Sequence, residues 1–152
     1  MSHVADCDFV IADVDACAEA ARALGGELVR DQKTHAWYGR FLNDWDDGRA
    51  AVNRRDPASF GKCDHAIKFP GIRYEVGLCR EIDGSYTPVY DQFGNHGEHD
   101  GQKLEQLLGG AGLPKLKNEY AAQVTTRMMQ RKGFRVTRTT NDAGAIVLKV
   151  GR

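Results

Sequence analysis

Tyr74-Glu75-Val76-Gly77-Leu78, Asp83-Gly84 and Tyr86-Thr87-Pro88-Val89-Tyr90 form the stretch that decides the fold. Apolar and polar residues alternate in both runs, and Asp-Gly between two such runs is a strong hairpin signal. The reading is a strand pair, Tyr74 to Leu78 and Tyr86 to Asp91. Pro88 cannot donate to a ladder, which puts the second strand at the sheet edge or turns that nitrogen away from its neighbour.

Downstream, Asp100 stands where a helix cap belongs, before Leu104, Leu107 and Leu108, and Gly109-Gly110 interrupts that helix. A second helix starts near Pro114, with Leu116, Tyr120, Val124 and Met128 at steps of four, and ends at Gly133. Phe134, Val136 and Arg138, a turn at Asn141 to Gly144, and Ile146, Leu148 and Val150 predict a closing hairpin with one apolar face. Upstream, Ala66, Ile67 and Phe69 precede the Pro70-Gly71 turn. Phe9 to Ile11 reads as a strand, Asp13 as the cap of a helix through Val14, Cys17, Ala21 and Leu24, and Gly25-Gly26 as its stop. Glu27 to Arg30 and Thr34 to Tyr38 read as the next strand or strand pair. Residues 39 to 62 are irregular, with Trp37 and Trp45 bracketing the first half as plugs over the core. The fold class is therefore α+β: a mainly antiparallel sheet with two or three helices packed on one side. The expected organisation is one domain, 1–152, with an insertion at about 39–62 and its best-defined unit at 64–152.

With 152 residues, 41% hydrophobic and 28% charged, the composition is that of a soluble globular chain. The start of the chain, with Asp6 and Asp8, lacks the apolar run of a signal peptide, and a cytoplasmic location with no membrane partner is expected. Lys+Arg and Asp+Glu each number 21, which argues against a general polyanion binder. The local balance is uneven. Residues 81 to 100 hold Glu81, Asp83, Asp91, Glu98 and Asp100 with no Lys or Arg, whereas from Lys115 to Arg138 Glu119 is the only acid. Cys7, Cys17, Cys63 and Cys79 are too widely spaced for a Cys-x-x-Cys pair and read as reduced.

The Met1-Ser2-His3 start, the Tyr74–Leu78 strand, Asp83-Gly84-Ser85-Tyr86, Tyr90-Asp91-Gln92-Phe93-Gly94, Arg131-Lys132-Gly133-Phe134 and the final apolar strand together resemble the domain-of-unknown-function family 1257. Its plastid and cyanobacterial members are called hypothetical chloroplast frame 35, and relatives occur in other bacteria and bacteriophages. The resemblance covers residues 64 to 152 best. It implies this architecture, a bacterial or phage accessory protein (in the host cytoplasm if phage-encoded) and an adaptor role beside a partner such as an ATPase. It implies no catalytic residues. Where the family carries paired tryptophans followed by Gly-Val, this chain reads Gln92-Phe93-Gly94-Asn95.

No nucleotide-cradling or nucleophile motif occurs, and no cofactor is called for. The leading reading is a small non-catalytic binding or adaptor protein acting through a protein partner. Its expected contact surface comprises Glu81, Asp83, Tyr90, Asp91 and Phe93, with Trp45. A nucleic-acid-binding module is the first alternative, through Arg127, Arg131, Lys132 and Arg135, with Tyr74, Tyr86 and Tyr90 as stacking faces. A metal-dependent enzyme is the second. There Cys63 and His65 would join His96 and His99, whose donor types suit zinc although the spacing is neither that of a finger nor His-Glu-x-x-His.

Overall fold

The computed structural model describes residues 4–39, 56–92 and 100–152. In chain order these form β1 (Val4–Asp6), α1 (Val14–Ala23), β2 (Glu27–Arg30), a 3-10 turn at Pro57–Ser59, β3 (His65–Lys68), β4 (Val76–Arg80), β5 (Tyr86–Asp91), α2 (Asp100–Leu107), α3 (Pro114–Arg131), β6 (Arg135–Thr140) and β7 (Ile146–Gly151). Five strands make an antiparallel sheet in the order β1-β5-β4-β3-β2, and β6 and β7 make a second, two-stranded sheet. The α+β class, with a mainly antiparallel sheet, is as expected.

The β4–β5 pair forms the sheet's middle, with Leu78 opposite Pro88 and Cys79 opposite Thr87. Asp83 fixes the turn by accepting from the Ser85 backbone N–H and hydroxyl at 2.9 and 2.6 Å. Pro88 lies in an interior strand, so its nitrogen must avoid a ladder partner. Its carbonyl accepts from Cys7 N–H at 2.8 Å, which puts that backbone edge on the β1 side, where β1 has just ended at Asp6. Residues 7 to 10 leave the ladder there, and Ile11 rejoins it by exchanging two hydrogen bonds with Tyr86.

Alternation along the strands divides the core. Ile67, Val76, Leu78 and Tyr90 face one way and pack with Cys17 and Ala21 of α1, Leu104 of α2 and Leu116 of α3, so all three helices contribute to one side of the sheet. Full burial of each such leucine contributes about 2 kcal/mol. Val4, Ala66, Cys79 and Val89 face the other way, beneath Phe60, Cys63 and Trp37. Segment 32–38 is fixed by two carboxylates. Glu75 accepts from Gln32 Nε2 and Ala36 N–H, and Asp91 accepts from Tyr38 N–H at 3.0 Å.

The ends of α1 and α3 follow their signals, whereas Asp100, expected to cap α2, is its first helical residue and is buried, accepting from Arg73 N–H. Asp13 caps α1 by accepting from Ala16 N–H, and the Tyr120 hydroxyl accepts from Ala12 and Asp13 N–H, tying α3 to that cap. Pro114 opens α3. Gly133, at φ +86°, closes it, with Phe134 N–H donating to the Met129 carbonyl.

Four expectations are corrected. The first strand is Val4–Asp6, with Val10 55% exposed, because pairing with β5 selects residues 4 to 6 over the more apolar Phe9–Ile11 run. Thr34 to Tyr38 contributes a single bridge, Thr34 to Lys62, and no strand. The strand expected from Tyr74 begins at Val76, because Glu75 binds segment 32–36 instead. On α3 the buried residues are Leu116, Glu119 and Ala122, while Met128 is 43% exposed. The end of α3 packs on the separate hairpin, leaving the step-of-four stripe partly uncovered.

Candidate functional site

The surface expected around residues 81 to 100 is only partly available. Tyr90 and Asp91 are fully buried. The Tyr90 hydroxyl donates to Glu105 Oε1 at 2.7 Å and accepts from Gly112 N–H, and Asp91 holds Tyr38, so both residues secure neighbouring chain. Glu81 accepts from the Thr87 hydroxyl at 2.6 Å, and Asp83 remains exposed beside Ile82 at the turn's tip. Trp45, Phe93 and Glu98 lie outside the described residues.

Of the expected metal ligands, His96 and His99 also lie outside them. Cys63 and His65 are parted by a bulge: Asp64 N–H donates to the Leu78 carbonyl although His65 is Leu78's registered partner. Cys63 therefore joins the second cluster and donates to the Gln32 carbonyl. His65 lies against Tyr86, ring centroids 5.0 Å apart, and accepts from Asp31 N–H through Nδ1. Among the described residues no three His, Cys, Asp or Glu side chains converge to hold a metal. Burial, the main cause for each, pushes the Cys7, Cys17 and Cys63 thiols up to about 12, so at neutral pH these three carry no thiolate for nucleophilic work.

The expected cationic residues do gather at one end. Arg127 reaches the Asp15 carbonyl at 3.4 Å, and Arg131, Lys132 and Arg135 are exposed where α3 passes into β6. The tyrosines expected as stacking faces belong to the core: Tyr74 and Tyr90 are buried and Tyr86 packs against the same cluster.

A groove that sequence reasoning missed lies between α1's C-terminal end, α3 and the β6–β7 hairpin, with a volume of about 640 Å³. Ala121, Ala122, Gly144 and Ala145 keep its walls low, and Ile146 and Leu148 line the hairpin side. At its base Glu119, 4% exposed, accepts a two-pronged hydrogen bond from Arg138. Arg138 and, more weakly, the Gln123 amide hold this carboxyl below its ordinary range against the opposing effect of burial, so the pair stays ionised at neutral pH. The one signal available in advance was a lone acid amid seven basic residues. A paired, desolvated charge beside small apolar walls can orient a polypeptide backbone or side-chain amide. A smaller cavity of about 270 Å³ lies on the second sheet face, lined by Phe60, Cys63, Cys79 and Arg80 among others.

No family model, curated protein or solved structure matches the chain. No helix of the described residues is long and apolar enough to cross a membrane.

Proposed function

We propose that the protein is a small non-catalytic binding or adaptor protein that seats an extended segment of a protein partner in the groove between α1, α3 and the hairpin. The observation that carries this reading is the groove itself, with small-residue walls and the Glu119–Arg138 pair at its base. Beside it the hairpin is a sheet of two strands, so among the described residues each strand keeps one edge unpaired for main-chain pairing by a partner. Kinship with family 1257, cytoplasmic residence and an ATPase as partner class belong to the same proposal.

The test is quantitative affinity capture with the wild type, Ala121→Arg and Ala145→Arg, each of which fills the groove from an exposed position, and Asp83→Asn at the acidic turn. A partner lost from both groove variants and kept by Asp83→Asn supports the reading. A partner lost only from Asp83→Asn returns the site to residues 81 to 85.

A further inference from the structure

The hairpin's outer face carries charge that the groove leaves unused. From Ala121 to Arg152 the chain has seven Lys and Arg and a single acid, Asp142. Arg138 is taken by Glu119, Arg127 by the Asp15 carbonyl, and Arg152 lies over the Phe134 ring, 5.6 Å from its centroid. Arg131, Lys132, Arg135 and Lys149 are exposed and make no ion pair among the described residues.

Register places Arg135 and Lys149 together. Arg138, Thr140, Ile146 and Leu148 line the groove beside α3, so the alternate residues Arg135, Thr137, Thr139, Val147 and Lys149 face away from it. Lys149 stands opposite Thr137, one diagonal step from Arg135. The end of α3 adds Arg131 and Lys132 immediately before Gly133. The result is a two-stranded ribbon whose outer face presents two cations and two hydroxyls, flanked by two further cations at the α3 end, with the one acid, Asp142, in the turn at the other end.

We propose that this outer face docks double-stranded DNA, with the ribbon toward the major groove and Arg131 and Lys132 on the flanking phosphates. A B-form major groove admits a two-stranded ribbon, and Arg, Lys and Thr side chains are the usual donors to phosphate. An A-form RNA groove is too deep and narrow for side chains to read. Single strands call for exposed stacking rings, whereas Tyr74 and Tyr90 are buried and Arg152 covers Phe134. A protein interface calls for a buried apolar anchor and disfavours Lys at its centre, and this face offers only the half-buried Val147. The proposal goes beyond the protein-binding reading and uses the opposite face of the hairpin, so each can fail alone.

The experiment measures fluorescence anisotropy of a labelled duplex of about 20 base pairs with the full chain between roughly 50 and 200 mM salt. With Arg135 and Lys149 also reaching the phosphates that border the groove, four neutralised phosphates predict a log–log salt slope of about −3.6 and roughly a hundredfold loss of affinity over that range. Arg131→Gln/Lys132→Gln/Arg135→Gln/Lys149→Gln is expected to weaken binding at least ~10-fold and flatten the slope. Arg22→Gln/Lys33→Gln, exposed cations elsewhere, is expected to bind as wild type, and Lys149→Gln alone to lose ~3-fold or more, which keeps a readout if the quadruple variant unfolds. No binding at low salt, a folded quadruple variant binding like wild type, or poly-glutamate competing as well as duplex would overturn the proposal.

Discussion

Arg138 lays both terminal nitrogens on the carboxylate of Glu119, Nη1 to Oε1 at 2.5 Å and Nη2 to Oε2 at 2.6 Å, and so clamps the hairpin onto α3. An isolated two-stranded hairpin is marginally stable in water, so this pair and the apolar residues around it hold β6 and β7 in place. Arg138→Met leaves the carboxylate buried without its guanidinium. The expected loss is about 2 kcal/mol, below that for a fully buried pair because the Arg138 side chain is 43% exposed. Urea unfolding at neutral pH measures it, and an unchanged midpoint would contradict the clamp.

The same pair sets an acid limit. Glu119 titrates below its ordinary 4.5 in the folded chain, chiefly through Arg138, so the unfolded chain binds its proton first as the pH falls. Its stabilisation is complete above about 4.5 and is lost as the pH drops through the lower folded value. Glu119→Gln is expected to flatten this part of the stability profile. Equal pH dependence in wild type and variant would place the acid sensitivity elsewhere.

His35 predicts a second, higher window. It is 3% exposed, and neither ring nitrogen has a hydrogen-bond partner among the described residues. Burial lowers its pKa below 6.5, with the Ala36 and Glu75 backbone and the Glu75 carboxylate partly opposing. Protonation therefore favours the unfolded chain, and stability present above about 6.5 falls as the pH drops toward the folded value. His35→Leu should remove that decline. Persistence of the decline would show that His35 does not cause it.

Gly77 makes room for that ring. A Cβ there would lie 2.5 Å from His35 Cδ2 and 3.1 Å from Cys63 Cβ. Gly77→Ala is expected to cost about 1–3 kcal/mol, and adding His35→Ala to recover part of it through coupling between the two sites. Strict additivity in the denaturation midpoints would exclude the contact as the cause.

All four cysteines are buried thiols outside any disulfide. With the Cys7, Cys17 and Cys63 thiols pushed up to about 12, their thiolate fraction at pH 8 falls roughly a thousandfold below that of an exposed thiol. A thiol-reactive dye should react slowly with the native chain and label all four after unfolding. Rapid labelling of any of these three in the native state would contradict the packing.

Local signals placed most elements. The Asp13 cap, the turn after Glu81, Pro114 and Gly133 each act within a few residues, and each stands where its chemistry puts it. Partners distant in sequence were not legible. β1 pairs across more than eighty residues with β5, and the hairpin leaves the main sheet because α3 and Glu119 hold it elsewhere. Asp91 looked available because period-two patterning marks one face of a strand for the core, whereas Phe60, Cys63 and Trp37 cover the second face as well, and Tyr90 belongs to the helix-side core itself. Of the candidate site, only the gathering of cations was readable. The groove needs α1, α3 and β6–β7 in contact before it exists.

Hydrogen–deuterium exchange of the chain with and without its captured partner tests the central claim most directly. The groove reading predicts new protection within residues 119–125 and 138–148, where α3 and the hairpin line the groove. Protection confined to residues 81–92, with the groove segments unchanged, would contradict it.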